Sequence, residues 1–84
     1  MADIHTRIEQ FKKMASDDPN NELGHFSLGR AYLESGIYDS AASSFERVIE
    51  INPNMSRAYQ LLATAQLKLG QKDKAVHHLT EGVK

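Results

Sequence analysis

The sequence predicts an all-α protein, a helical solenoid of five antiparallel helices. Apolar residues recur at intervals of three and four, the segments between these runs are short, and one pattern returns after 34 residues. The offset relates three pairs of residues: Leu28 and Leu62 (62 − 28 = 34), Gly36 and Gly70 (70 − 36 = 34), and Pro19 and Pro53 (53 − 19 = 34). A fixed period of this size is typical of stacked helical hairpins, in which each unit buries its apolar face against a neighbour.

Composition restricts the function classes. The 84 residues form one small domain, and 40% hydrophobic with 25% charged residues is typical of an ordered protein. The net charge of −1 gives no general attraction to nucleic acid or to an anionic membrane. With no cysteine, disulfides and thiolate metal sites are excluded. No apolar run could span a membrane and no secretory signal is present, so a cytoplasmic location is expected.

The first two helices are predicted over residues 3–16 and 22–35. Apolar residues line one face of the first helix: Ile4, Ile8, Phe11 and Met14 or Ala15. Asp3 is its predicted N-cap, and Pro19 ends the run because the residue before a proline avoids helical dihedrals. Asn20 or Asn21 caps the second helix, and Gly36 suits the left-handed position after it.

Three further helices are predicted over residues 39–51, 55–69 and from 73 to the terminus. Pro53, between two asparagines, repeats the stop at Pro19, and Gly70 ends the fourth helix as Gly36 ends the second. Connections of roughly two to five residues make consecutive helices antiparallel.

These residues resemble the tetratricopeptide repeat family. Residues 22–55 resemble one full repeat, residues 56–84 a second that is five residues short, and residues 3–21 the second half of a preceding one. The matching positions of the full repeat are His25 at the bulky place, Leu28, Gly29, Tyr32, Gly36, Tyr38, Ala41, Phe45, Val48 and Pro53. The resemblance implies one domain over residues 1–84 that binds protein partners.

Small residues are predicted to set the helix crossings. Gly29 and Ala41 are expected to face each other in the first repeat, as are Ala63 and Ala75 in the second, because small side chains let two backbones approach. The second repeat has Gln66 and Lys72 where the family has tyrosines, which predicts looser packing there.

A second resemblance is less specific. Residues 21–29 and 55–62 are similar to the N-terminal repeat segment of bacterial proteins related to iron(II)-trafficking proteins. In those relatives a separate small domain follows the repeats. The resemblance implies a regulatory segment of a longer iron-handling protein.

Catalysis, metal binding and nucleic-acid binding find no support in the sequence. His77 and His78 are adjacent and so point about 100° apart on a helix, while His5 and His25 belong to different helices. No nucleophile motif, phosphate loop or coupled carboxylate pair stands out, and the basic residues are not interleaved with aromatic ones. The prediction is a protein that is not an enzyme and has no cofactor or metal site.

In the resembling fold, the first helix of each repeat lines a concave groove. The partner-binding residues predicted on that face are Leu23, Phe26, Ser27, Arg30, Leu33, Glu34, Arg57, Gln60, Leu61, Thr64, Leu67 and Lys68. The family's clamp for a terminal carboxylate has lysine and asparagine at the places of Phe26 and Arg30, so that clamp is not predicted. An alternative interpretation has Leu23 and Phe26 packing under the first helix.

The sequence therefore predicts a non-catalytic protein–protein interaction module. Its partner is expected to be a protein or peptide, with acidic character because the groove's charges are mostly positive. The alternative is structural self-assembly through the C-terminal helices. An uncovered apolar patch formed by Leu61, Leu69, Val76 and Val83 is expected to mediate it.

Overall fold

A computed structural model describes residues 4–82, with side chains for residues 6–81. The five helices are α1 (Ile4–Asp17), α2 (Glu22–Glu34), α3 (Tyr38–Ile51), α4 (Ser56–Lys68) and α5 (Lys72–Gly82). The predicted all-α fold of five antiparallel helices is confirmed. The predicted helix ends that fall on described residues lie within one residue of the observed ones. The predicted cap at Asp3 lies outside the described residues.

The ends of α2 and α4 have the same geometry. Gly36 and Gly70 have φ values of 79° and 77°. In each case the next residue donates its N–H back to the helix, from Ile37 to the Tyr32 carbonyl at 2.9 Å and from Gln71 to the Gln66 carbonyl at 2.8 Å. This pattern satisfies carbonyl groups that the helix end leaves unpaired, and it requires the positive φ that glycine tolerates.

The start of α2 is capped as predicted. The Asn21 side-chain oxygen accepts a hydrogen bond from the Leu23 N–H at 3.0 Å, which satisfies one of the free donors of the first turn. His25 lies near the start of α2, and its ring extends back toward the preceding turn, with Nε2 2.9 Å from the Pro19 carbonyl oxygen. The side chain of His25 therefore connects α2 to the turn that precedes it.

The helices form two layers. Each helix packs against the next along the chain, and α2 also contacts α4. The layer of α2 and α4 lies on one side, and α1, α3 and α5 lie on the other. The Cα trace measures 36 × 25 × 16 Å, and its thin dimension suits two layers of helices packed 8–10 Å apart.

Two apolar clusters connect these layers. One, between α3 and α4, contains Ala41, Ala42, Phe45, Leu62 and Ala65. The other, between α1 and α2, contains Ile8, Ala15, Leu28 and Ala31. Half-buried Tyr32 packs against both clusters, so the two halves of the chain share one continuous core.

Small residues do lie at the helix crossings, with one difference from the expectation. Ala41, Ala63 and Ala75 are all at most 1% exposed. The atoms nearest to Gly29, however, belong to the ring of Phe45, which would lie 2.8 Å from a Cβ added at that glycine. Gly29 therefore makes room for an aromatic ring rather than for a second small residue.

A further close crossing, between α1 and α2, was not predicted. A Cβ added at Gly24 would lie 3.4 Å from the Cα of Ala15, which is ordinary van der Waals contact. Both residues are buried. Close approach at this point places α1 against the first turns of α2.

Gln66, which stands where the resembling family has a tyrosine, is buried and pairs with a side chain of α5. Gln66 is 3% exposed, and its Oε1 lies 2.8 Å from Nδ1 of His78. The ring of Tyr59 lies beside His78, with centroids 6.4 Å apart. The polar pair connects α4 to α5 and leaves the amide oxygen satisfied.

Candidate functional site

The layer of α2 and α4 forms the inner side of the curved molecule. These two helices touch each other, whereas within the described residues α1, α3 and α5 make no contacts among themselves. Helices that spread apart on one side and meet on the other produce a concave face on the side where they meet. We call the exposed face of α2 and α4 the groove.

On α2, apolar and charged side chains alternate along the groove. Leu23 is 59% exposed, so it does not pack under α1 as the alternative interpretation had it. Phe26 is half-buried, with its ring edge-on to Phe45 at a centroid distance of 5.8 Å, and Leu33 packs against the α3–α4 cluster. Arg30 is exposed. The α2 half of the groove thus has one free apolar side chain and one free guanidinium.

The groove continues into a cleft of about 220 Å³ between α1 and α2, which we call the α1–α2 cleft. Its lining residues are Arg7, Phe11, Ser27, Arg30 and Glu34. Nη1 of Arg7 lies 3.3 Å from Oε2 of Glu34, and both side chains are nearly half-exposed. The prediction included the three α2 residues but neither residue of α1, because nothing in the period indicates that a side chain of α1 reaches this face.

On α4, the groove is mainly polar. Arg57, Gln60 and Lys68 are exposed, and the Thr64 hydroxyl donates to the Gln60 carbonyl at 3.0 Å. Leu67 is 52% exposed. The remaining predicted groove residue, Leu61, is half-buried and packs against the α3–α4 cluster, so it supports the core.

The predicted patch at the C-terminal end has a different membership in the structure. Leu69 and Val76 are 38% and 52% exposed, and Leu79, which was not predicted, is 41% exposed. Leu61 is half-buried against the α3–α4 cluster, and Val83 lies outside the described residues. The exposed apolar side chains of this end therefore lie on α5 and at the end of α4.

Outside the groove, the described part of the chain offers few features that suggest a metal, membrane or ligand site. Residues 6–81 contain no group of three or more histidine, cysteine, aspartate or glutamate side chains that could hold a metal ion. None of the described helices is long and apolar enough to cross a membrane. A second cleft, of about 300 Å³ between α2 and α3, is lined by Leu28, Tyr32, Asp39, Ser40, Ser43 and Ser44.

The fold and groove define a helical-hairpin repeat protein, a class that presents an extended concave surface. A family model described as Tetratricopeptide repeat matches residues 32–84, and the chain belongs to this family. TPR repeat-containing protein PA0015 of Pseudomonas aeruginosa is 35% identical over 63 residues, which are 75% of this chain and 60% of that protein. Human peptidyl-prolyl cis-trans isomerase FKBP4 is 34% identical over 62 residues, which are 74% of this chain and 14% of that protein.

Solved structures agree with this assignment. The crystal structure of MamA superposes with a TM-score of 0.90 at 25% identity, over 95% of this chain and 47% of the MamA chain. The MamA R50E mutant superposes with a TM-score of 0.82 at 26% identity, over 86% of this chain and 53% of that one. The chain thus spans about half to three-fifths of the length of PA0015 and MamA.

Proposed function

We propose that this protein is a non-catalytic interaction module that binds a peptide segment of a partner protein in the groove. In this proposal, residues 22–55 and 56–84 act as two repeats, each supplying its first helix, and residues 3–21 act as a half repeat. The family and its fold support a protein-interaction role. The side chains of the groove indicate what kind of partner to expect. A cytoplasmic location goes with this proposal.

The observation that carries the proposal is the mixed character of the groove. Leu23 and Leu67 are more than half exposed on a face that also has charged and uncharged polar side chains. Apolar contact area beside hydrogen-bond donors suits a surface that a partner protein covers. Three cations (Arg30, Arg57 and Lys68) and one anion (Glu34) give the groove a charge of +2 (3 − 1), whereas the whole chain has −1. The partner segment is therefore acidic with apolar residues between its charges.

Peptide selection followed by NMR mapping tests this proposal. Peptides selected on the immobilised protein should shift backbone amide signals of α2 and α4, and binding should weaken with salt because the cations are exposed. Arg57→Ala should weaken binding. Arg47→Ala is the matched control, because Arg47 lies on α3 and its Nη1 pairs with Glu50 at 3.0 Å. Shifts that cluster on the outer layer, around Glu46 and Lys74, would contradict the proposal.

Self-assembly is the second candidate, favoured by the exposed side chains of the C-terminal end. Val76 and Leu79 are 52% and 41% exposed on α5, which contacts α4 alone among the described helices. A twofold contact could cover this face, because one patch pairs with itself. Sedimentation over a wide concentration range tests it, and Val76→Lys should shift the equilibrium to monomer. A species that stays monomeric at millimolar concentration would contradict this candidate.

A third proposal follows from the second resemblance, which makes the chain a regulatory segment of an iron-handling protein. The neighbouring coding sequence tests it, since the resemblance requires a separate small domain after the repeats.

A further inference from the structure

The α1–α2 cleft contains an incomplete set of ion pairs. Two guanidinium groups and one carboxylate line it, which leaves one positive charge uncompensated. Arg7 pairs with Glu34 at 3.3 Å. Arg30, by contrast, makes no ion pair or side-chain hydrogen bond with the described residues. One further carboxylate would balance the cleft.

The other lining residues suit a carboxylate with an apolar neighbour. Ser27 contributes a hydroxyl that can donate a hydrogen bond, and Phe11 contributes a half-buried aromatic ring. A guanidinium group binds a carboxylate through two parallel N–H bonds, which favours Asp or Glu over a neutral amide. The volume of about 220 Å³ admits one such side chain together with part of an adjacent apolar one.

We propose that the α1–α2 cleft is a subsite for the side-chain carboxylate of one acidic residue in the partner peptide, beside an apolar residue that contacts Phe11. This inference rests on the proposed function and names the partner chemistry of one part of the groove. The carboxylate binds Arg30 and the Ser27 hydroxyl, and it shares Arg7 with Glu34. Glu34 is thus an internal competitor for the incoming carboxylate.

The junction of α3 and α4, one period later, offers a comparison within the chain. Adding 34 to the cleft residues gives Ala41, Phe45, Leu61, Thr64 and Lys68. This set has no arginine, and Ala41 and Phe45 are completely buried. Leu61, at the position of Ser27, packs against the core. The corresponding place between α3 and α4 therefore has neither the two guanidinium groups nor the space, so the carboxylate subsite is confined to α1 and α2.

NMR titration with short capped peptides tests the inference. The probe is the tripeptide Leu-Glu-Leu, acetylated and amidated so that its only carboxylate is the side chain, and its matched control is Leu-Gln-Leu with the same caps. The glutamate probe should shift the Nε–Hε signals of Arg7 and Arg30 and the ring signals of Phe11 saturably. The glutamine probe should bind at least about tenfold more weakly, because it lacks the charge-assisted hydrogen bonds.

Three substitutions of solvent-accessible side chains make the test more specific. Arg30→Gln should weaken the glutamate probe at least about tenfold, because it removes the unpaired guanidinium. Glu34→Gln should strengthen it by about threefold, because it frees Arg7 and removes a like charge. Arg47→Gln is the matched control, since Arg47 lies on α3, outside both the groove and the cleft, and pairs with Glu50. It should leave the affinity of this small probe unchanged.

Several results would overturn the inference. Shifts confined to Arg57 and its neighbours on α4 would place the carboxylate outside the cleft while leaving the groove proposal intact. The absence of saturable shifts at Arg7 and Arg30, or weaker binding by Glu34→Gln, would also contradict it. Equal or larger shifts with an acetylated Leu-Leu-Leu peptide that ends in a free carboxylate would contradict the assignment to a side chain, because the cleft would not distinguish a side-chain carboxylate from a chain terminus. Failure of the groove proposal is a separate result, because it appears as selected peptides that bind the outer layer.

Discussion

Replacing Gly29 by alanine tests the closest helix contact of the core. A Cβ at this position would lie 2.8 Å from Cε1 and 2.9 Å from Cζ of Phe45. That ring is completely buried and is held edge-on by Phe26 at 5.8 Å, so it has little room to move. Alanine gains about 1 kcal/mol over glycine within a helix. Overpacking costs roughly 1–3 kcal/mol, so Gly29→Ala should lose about 1 kcal/mol net.

The matched control is Gly24→Ala, in the same helix. Its Cβ would lie 3.4 Å from the Cα of Ala15, so the helix gain of up to about 1 kcal/mol should remain. Urea unfolding followed by circular dichroism should separate the two variants by about 2 kcal/mol at equal m values. Equal stability of the two variants would mean that the Phe45 ring moves aside. A favourable coupling of at least about 0.5 kcal/mol in the double variant Gly29→Ala/Phe45→Leu would locate the strain at that ring.

Four other substitutions test the turns, the polar pair and the small residues of the crossings. Gly36→Ala and Gly70→Ala should each cost about 1–2 kcal/mol in urea unfolding, through the positive φ alone, since no other atom lies within 4 Å of the added Cβ. His78→Phe should cost about 1–3 kcal/mol because it leaves the buried Gln66 oxygen unpaired, and adding Gln66→Leu should recover most of that loss. Ala41→Leu should cost roughly 1–3 kcal/mol by overpacking, and a melting temperature equal to the parent's would contradict the 34-residue register.

Local signals explain why the helices and their ends could be predicted. A proline, a capping asparagine or a glycine with positive φ acts within one turn of its own position, so its effect is readable from the sequence alone. Asn21 and Gly36 both act as predicted. The identity of the core residues was equally readable, because a period of 34 places Leu28 and Leu62 in equivalent surroundings and both are buried.

The contacts that could not be predicted join residues far apart in the sequence. Gln66 meets His78 because α4 and α5 are antiparallel, and a glutamine at a tyrosine position does not by itself indicate a partner twelve residues later. Arg7 and Glu34 are 27 residues apart, and their pairing depends on the length of the arginine side chain and on the position of α1. Leu61 was assigned to the groove by its place in the repeat, and that place does not indicate that its half-buried side chain also packs against the α3–α4 cluster.

The fold and the groove depend on different positions of the same period. At the crossings and turns, the pair α2–α3 and the pair α4–α5 have equivalent residues. Ala41 and Ala75 are both fully buried, and Gly36 and Gly70 both have positive φ. In the groove, equivalent positions differ in charge, and Glu34 of α2 corresponds to Lys68 of α4. Exposed side chains contribute little to stability, so these positions can differ without affecting the fold. In the proposed binding mode, the differences between the two helices, and not the pattern they share, select the partner and the direction in which it lies across the groove.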